Sequence, residues 1–236
     1  MIFYKLQATQ NDFIIVLDDN LKDINIKDLC NRNKYIGADG FILIDSNNNV
    51  YFYNSDGTKA NMCGNGLRCV SKLLFYLNNN KTNKVYVNNN EITLIQEDIN
   101  YASISMPDPI MINYKEGYFV YLLNYHYIII VDNIDNFTFN ESHFKILDDK
   151  KCNLHAIQII NKGKIKIKTF EYGANYTLSC GSGSLASFFV LYMLNKVNDE
   201  IEVITQGGTL KCSYNNKMYY LKGPVYLVYK GELYGL

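Results

Sequence analysis

The strongest constraint on this chain is a short junction that occurs twice. Met62-Cys-Gly-Asn-Gly-Leu67 and Ser179-Cys-Gly-Ser-Gly-Ser184 both set a cysteine immediately before Gly-x-Gly. In each, the Gly-x-Gly opens a helical pattern. The first runs from Gly64 to about Leu77 with apolar Leu67, Val70, Leu73, Leu74 and Leu77 three and four residues apart, and the second from Gly181 to about Asn195. Two copies in matching context predict a duplicated unit, with two equivalent sites facing each other across a cleft.

The surrounding pattern repeats as well. Strands are predicted over Ile2–Leu6, Phe13–Leu17, Gly40–Asp45, Val50–Tyr53, Lys84–Val87, Glu91–Gln96 and Ala102–Ser105, with a short helix near Ile26–Asn31. Pro107 and Pro109 interrupt the strand pattern and suit a linker. Beyond them strands return at Tyr118–Leu123, Tyr127–Val131, Ala156–Ile160 and Lys164–Glu171, with a helix or loop region between the second and third. The expected domains are 1–112, completed by 225–236, and 113–224. The asparagine runs read as polar turns between strands.

Composition narrows the partners. The 236 residues are 48% apolar, enough for a substantial core, and 23 basic residues balance 23 acidic ones. No positive field is available for nucleic acid or an acidic membrane surface. With no leader pattern and no long apolar run, a soluble cytoplasmic protein with a small-molecule amino-acid substrate is expected, and a homodimer is the assembly left open. Six cysteines (30, 63, 69, 152, 180 and 212) in such a chain are expected to be thiols. No metal is expected: there is no Cys-x2-Cys, and His126, His143 and His155 show no ligand spacing.

A cysteine at a helix start lies where unpaired backbone N–H groups favour thiolate over thiol. The glycines behind it let the same N–H groups approach a carboxylate. Two such halves around an amino acid place a sulfur on each face of Cα. Cys63 and Cys180 are then an acid/base pair, one abstracting the Cα proton and the other donating to the opposite face. Fixed N–H dipoles stabilise the charge that builds on the carboxylate, so no cofactor is required. The other four cysteines read as packing residues. A redox protein would instead carry Cys-x-x-Cys on one helix, and a binding-only module would need neither sulfur.

Several ordered motifs resemble the diaminopimelate epimerase family over nearly the whole chain. These are Asn11-Asp-Phe13, Gly37-Ala-Asp-Gly40, Asn54-Ser-Asp-Gly57, Met62-Cys-Gly-Asn-Gly-Leu-Arg-Cys69, Asn124-Tyr-His126, Asn153, Glu171-Tyr-Gly173, Ser179-Cys-Gly-Ser-Gly183 and Gly223-Pro-Val. The resemblance implies an α+β fold of two pseudo-symmetric domains, each a sheet or barrel around a central helix, with the active site in the inter-domain cleft. It implies that Cys63 and Cys180 are the acid/base thiols and that backbone groups of Gly64, Asn65, Gly181 and Ser182 hold the substrate carboxylate. Asn11, Asn54, Asn124, Asn153, Glu171 and Tyr172 fall at substrate-facing positions, and His126 and Glu171 at supporting positions beside the thiols.

Two departures bear on substrate. The family carries Glu-Arg-Gly where this chain has Glu171-Tyr172-Gly173, and that arginine pairs with a distal carboxylate; a phenol cannot replace a bidentate guanidinium. Tyr125 replaces the proline of Gly-Asn-Pro-His, which predicts a second aromatic near the pocket. An amino acid lacking a distal carboxylate, with histidine leading, is the expected substrate. Diaminopimelate or a sulfur analogue is the alternative.

Overall fold

The computed structural model describes residues 1–19 and 24–234. Its first strands and helices are β1 (Ile2–Ala8), β2 (Asn11–Leu17), α1 (Ile26–Cys30), β3 (Gly40–Ile44), β4 (Val50–Asn54), β5 (Lys59–Ala60), α2 (Gly64–Asn78), β6 (Thr82–Val87), β7 (Asn90–Asp98) and β8 (Tyr101–Met106). There follow β9 (Ile110–Tyr114), β10 (Gly117–Leu122), β11 (Asn124–Ile130), α3 (Glu141–Lys150), β12 (Asn153–Asn161), β13 (Lys164–Glu171) and β14 (Asn175–Thr177). The last are α4 (Gly181–Met193), β15 (Glu200–Thr205), β16 (Gly208–Asn215), β17 (Met218–Pro224) and β18 (Tyr226–Glu232).

These elements form two units, Met1–Ile104 with Gly223–Leu236, and Ser105–Lys222. The boundary expected after residue 112 cuts β9, which pairs antiparallel with β10 and therefore belongs to the second unit. Residues 235 and 236 of the expected first domain lie outside the described residues.

In the first unit a six-stranded sheet has the order β18-β1-β2-β3-β4-β5. Its central strands read as near-continuous apolar runs because both faces are covered. Ile14, Val16, Phe41 and Leu43 pack with Leu29 and Cys30 of α1, while α2 lies against β1, β2 and β7. Every residue of α2 from Gly64 to Leu74 is buried. The second unit runs β17-β16-β15-β13-β12-β11-β10-β9, with β14 on β13. Here α3 covers one sheet face through Ile146 and Leu147 against Tyr127, Ile129, Leu154 and Ala156. Helix α4 packs against β10, β11, β12 and β16, and its residues Gly181–Leu191 are all buried. Ser184 and Ser187 tolerate that burial by donating to the carbonyls of Cys180 and Gly183 at 2.8 and 2.7 Å.

The asparagine runs do sit in turns, Asn48, Asn88 and Asn89 taking positive φ of 61°, 48° and 64°. The region expected to be helix or loop is α3. Strands β15, β16 and β17 had no sequence assignment. No helix among the described residues is long and apolar enough to cross a membrane.

Candidate active site

Cys63 is the N-cap of α2. Its backbone is extended (φ −138°, ψ 114°), and its Sγ accepts from the Gly66 amide at 3.4 Å. That sulfur takes up one of the amides a helix start leaves without an intrahelical acceptor. Asn11 Oδ1 lies 3.8 Å from Cys63 Sγ and 3.4 Å from Asn65 Nδ2. Asp39 orients Asn11, accepting from its Nδ2 and from the Asp12 amide, both at 3.1 Å. Asp12 is gripped in turn by Arg32, at 2.6 and 2.9 Å, and by Lys5 at 2.6 Å. Burial opposes ionisation of Asp12, but hydrogen bonds from Arg32 and Lys5 outweigh it and hold the carboxyl well below its usual range. On the other side the fully buried Arg68 donates to Asn65 Oδ1 at 2.9 Å and to Thr9 Oγ1 at 3.1 Å. These bonds decide which way the Asn65 amide points.

Cys180 occupies the same place on α4. It is extended (φ −115°, ψ 109°), and its Sγ accepts from the Gly183 amide at 3.4 Å. Ser182 Oγ is 3.6 Å from the sulfur. Glu171 accepts from Thr177 Oγ1 at 2.6 Å and is hydrogen-bonded to Cys180. Burial raises the Glu171 carboxyl above its usual range, against the pull of Thr177 and Cys180. A carboxyl kept ready to hold a proton beside a thiol is suited to proton exchange with it.

Strand alternation builds the rest of this half. In β11 and β12, Tyr127, Ile129, Leu154 and Ala156 face α3, so His126, Asn153 and His155 point the other way. His155 pairs across the sheet with Thr169, two residues before Glu171. His126 Nδ1 is 3.0 Å from His155 Nε2, and His155 Nδ1 is 3.0 Å from Thr169 Oγ1. Both imidazoles are fully buried. Burial pushes His126 down to about 3 and His155 well below its usual value, the latter also repelled by His126. His126, His155 and Cys180 each bring one metal-ligating atom within 4.8 Å of the others. Sequence spacing concealed this group, because its members come from two strands and a helix; His155 was not singled out as a site residue.

The remaining candidates differ in placement. Asn153 Oδ1 accepts from the Tyr172 amide at 3.0 Å, so Asn153 fixes the backbone at the departure from Glu-Arg-Gly, and Tyr172 itself is exposed. Asn124 opens β11 and is partly buried. Asn54 is exposed and spends its side chain on Thr58 Oγ1 at 3.0 Å, a turn contact. Gly64 and Gly181 begin their helices as anticipated. The second glycines have another use: a Cβ on Gly66 would stand 2.8 Å from Phe52 Cε1, and one on Gly183 2.1 Å from His155 Cε1. Tyr125 needs correction. It is exposed, stacked on Phe119 at 5.4 Å and close to Tyr121 at 5.0 Å, on the sheet face opposite His126. The alternation that buries His126 turns Tyr125 away from Cys180. Cys30, Cys69, Cys152 and Cys212 are buried, and burial raises Cys30 to about 11 and Cys152 to about 12, consistent with inert packing thiols.

The family profile described as diaminopimelate epimerase matches residues 3–111 and 118–228. The chain is 33% identical to a diaminopimelate epimerase of Prochlorococcus marinus, over 98% of each protein. It is 32% identical to one of Flavobacterium psychrophilum, over 98% of this chain and 99% of that protein. Among solved structures, a predicted epimerase from Pseudomonas aeruginosa superposes with a TM-score of 0.80 at 11% identity, covering 100% of this chain and 99% of that one. A hydroxyproline epimerase from Agrobacterium vitis gives 0.71 at 10% identity, covering 99% and 90%. At such identities the structural likeness establishes the shared fold.

Proposed function

Because the chain belongs to the diaminopimelate epimerase family, and is therefore an isomerase that racemises or epimerises without pyridoxal phosphate, we propose that Cys63 and Cys180 are its acid/base pair. One observation carries this: each unit makes a cysteine the N-cap of its central helix, with Sγ accepting from the amide three residues on at 3.4 Å. In one direction the thiolate of one cysteine removes the Cα proton while the thiol of the other protonates the opposite face; in the reverse direction the roles exchange. The backbone amides of Gly64, Asn65, Gly181 and Ser182 are assigned to the substrate carboxylate, where they oppose the charge that develops. Asn11 holds Cys63, and Glu171 with His126 supports Cys180.

The substrate we propose is an amino acid without a distal carboxylate, histidine first. Tyr172 stands where the family's arginine would meet that carboxylate. The chain's two arginines, Arg32 and Arg68, lie in the first unit and are engaged there, Arg32 by Asp12 and Asp39 and Arg68 by Asn65 and Thr9. Diaminopimelate is the second reading, favoured by the names of the relatives at about a third identity.

Proton NMR in D2O decides between them. Reduced enzyme is mixed with L-histidine, LL-diaminopimelate or other L-amino acids, and loss of the Cα signal is followed. Exchange with histidine or another single-headed amino acid but not with diaminopimelate supports the first reading, exchange with diaminopimelate alone the second, and no exchange with any of them sinks both. Cys63→Ser and Cys180→Ser should each slow turnover by about 10²–10⁴-fold; a variant that kept full rate would remove that cysteine from the mechanism.

A further inference from the structure

The buried imidazole pair beside Cys180 does more than the proton chemistry requires. That chemistry needs a polar neighbour for the sulfur, which Glu171 supplies. It does not need a second histidine behind the first, held by its own threonine. His126 Nδ1 and His155 Nε2 are 3.0 Å apart, and Cys180 supplies a third ligating atom within 4.8 Å. His126 Nε2 is buried and has no hydrogen-bond partner among the described residues.

We propose that His126, His155 and Cys180 form a binding site for a zinc-class divalent metal ion, with water in the fourth position. Two imidazoles and a thiolate are a zinc donor set. Bonds of about 2.0–2.3 Å place tetrahedral donors roughly 3.3–3.6 Å apart. The two nitrogens, 3.0 Å apart, are near that already, and the sulfur, within 4.8 Å of both, must close by at most about 1.5 Å. Thr169 fills the outer role that such histidines demand. With its hydroxyl accepting from His155 Nδ1–H, Nε2 carries the lone pair, and a His126 proton on Nε2 leaves Nδ1 free to bind. Both rings then ligate as neutral imidazoles. The thiol of Cys180 loses its proton to solvent, so a protonated Cys180 releases one proton per ion bound. An occupied site withdraws Cys180 from proton transfer and so inhibits turnover reversibly; that consequence rests on the acid/base reading above, whereas binding does not.

Cobalt(II) is the probe, since its thiolate charge-transfer and ligand-field bands report sulfur ligation directly. Reduced, folded protein should take up one Co2+ with a thiolate charge-transfer band, which Zn2+ in equal amount displaces. Cys180→Ser should abolish the band, His155→Asn should weaken binding by at least about 10-fold, and Thr169→Val by about 10–100-fold, while Cys63→Ser should leave the band in place. The site is overturned if folded wild-type protein shows no band, or if the band survives Cys180→Ser. It is equally overturned if Cys63→Ser removes the band. Should His155→Asn fail to fold, Cys180→Ser alone decides. Binding with full activity would keep the metal site and remove Cys180 from the acid/base role; inhibition lifted by a chelator supports both.

Discussion

Each Cys-Gly-x-Gly junction asks different things of its two glycines. The second glycine admits no side chain because Phe52 and Ile42 crowd Gly66 and the His155 ring crowds Gly183. Gly183→Ala should therefore displace His155 or α4 and lower stability by about 1–3 kcal/mol in denaturant titrations. An unchanged midpoint would mean that the ring moves at little cost. The histidines carry a pH signature. His126 is pushed from an ordinary value near 6.5 to about 3 by burial, so its folded pKa lies below its unfolded one. Its contribution to stability is complete above about pH 6.5 and is lost as the pH falls towards 3. Imidazole 15N spectra should show the His126 ring neutral at about pH 5; a ring titrating at its normal value would mean that water reaches the pair. The cysteines were legible in the sequence because helix starts carry local signals. His155 was not, since nothing local distinguishes a buried ligand-type histidine from one packed in a strand.

Elements announced themselves in proportion to their periodicity. Helix α2 has an apolar stripe broken by few polar residues, and its pattern is plain. Helix α3 buries only His143, Ile146 and Leu147, too few to separate helix from loop by spacing. Its start is set by a capping box: Asn140 Oδ1 accepts from the His143 amide at 3.2 Å and His143 Nδ1 from the Asn140 amide at 3.0 Å. Asn140→Ala should cost about 1 kcal/mol, read as a lower melting temperature; no change would place the control of α3 in its packing alone. Strand β15 alternates cleanly, with Ile201, Val203 and Thr205 buried, and could have been read. In β16 and β17 the buried positions include Cys212 and Tyr219 among many polar neighbours, so hydropathy alternates less clearly along them than burial does. Tyr125 shows a related effect: the Asn-Tyr-His motif sets it beside His126 in sequence, but strand alternation turns its side chain to the opposite face.

At the scale of the molecule, the first unit depends on distant segments. β18 pairs with β1 from Ile2–Glu232 to Gln7–Tyr226, the Leu233 amide donates to the Met1 carbonyl at 2.9 Å, and Gly231 sits so close to Phe3 that a Cβ would meet its ring at 2.4 Å. Deleting residues 225–236 should leave β1 as a bare apolar edge, and such edges recruit other chains. Size-exclusion chromatography should then show aggregate; a monodisperse product of unchanged stability would show that β18 is dispensable. The order of hydropathy along the chain could not reveal this pairing, because hydropathy reports which residues are buried and not which strands meet. The same pairing sets a timetable on the ribosome. At roughly 5–20 residues per second the second unit's strands all emerge before β18 does, and the first unit waits with β1 unpaired on that side throughout. Whatever shields a nascent sheet edge in the cell has its longest task here on a strand made more than 200 residues before its partner.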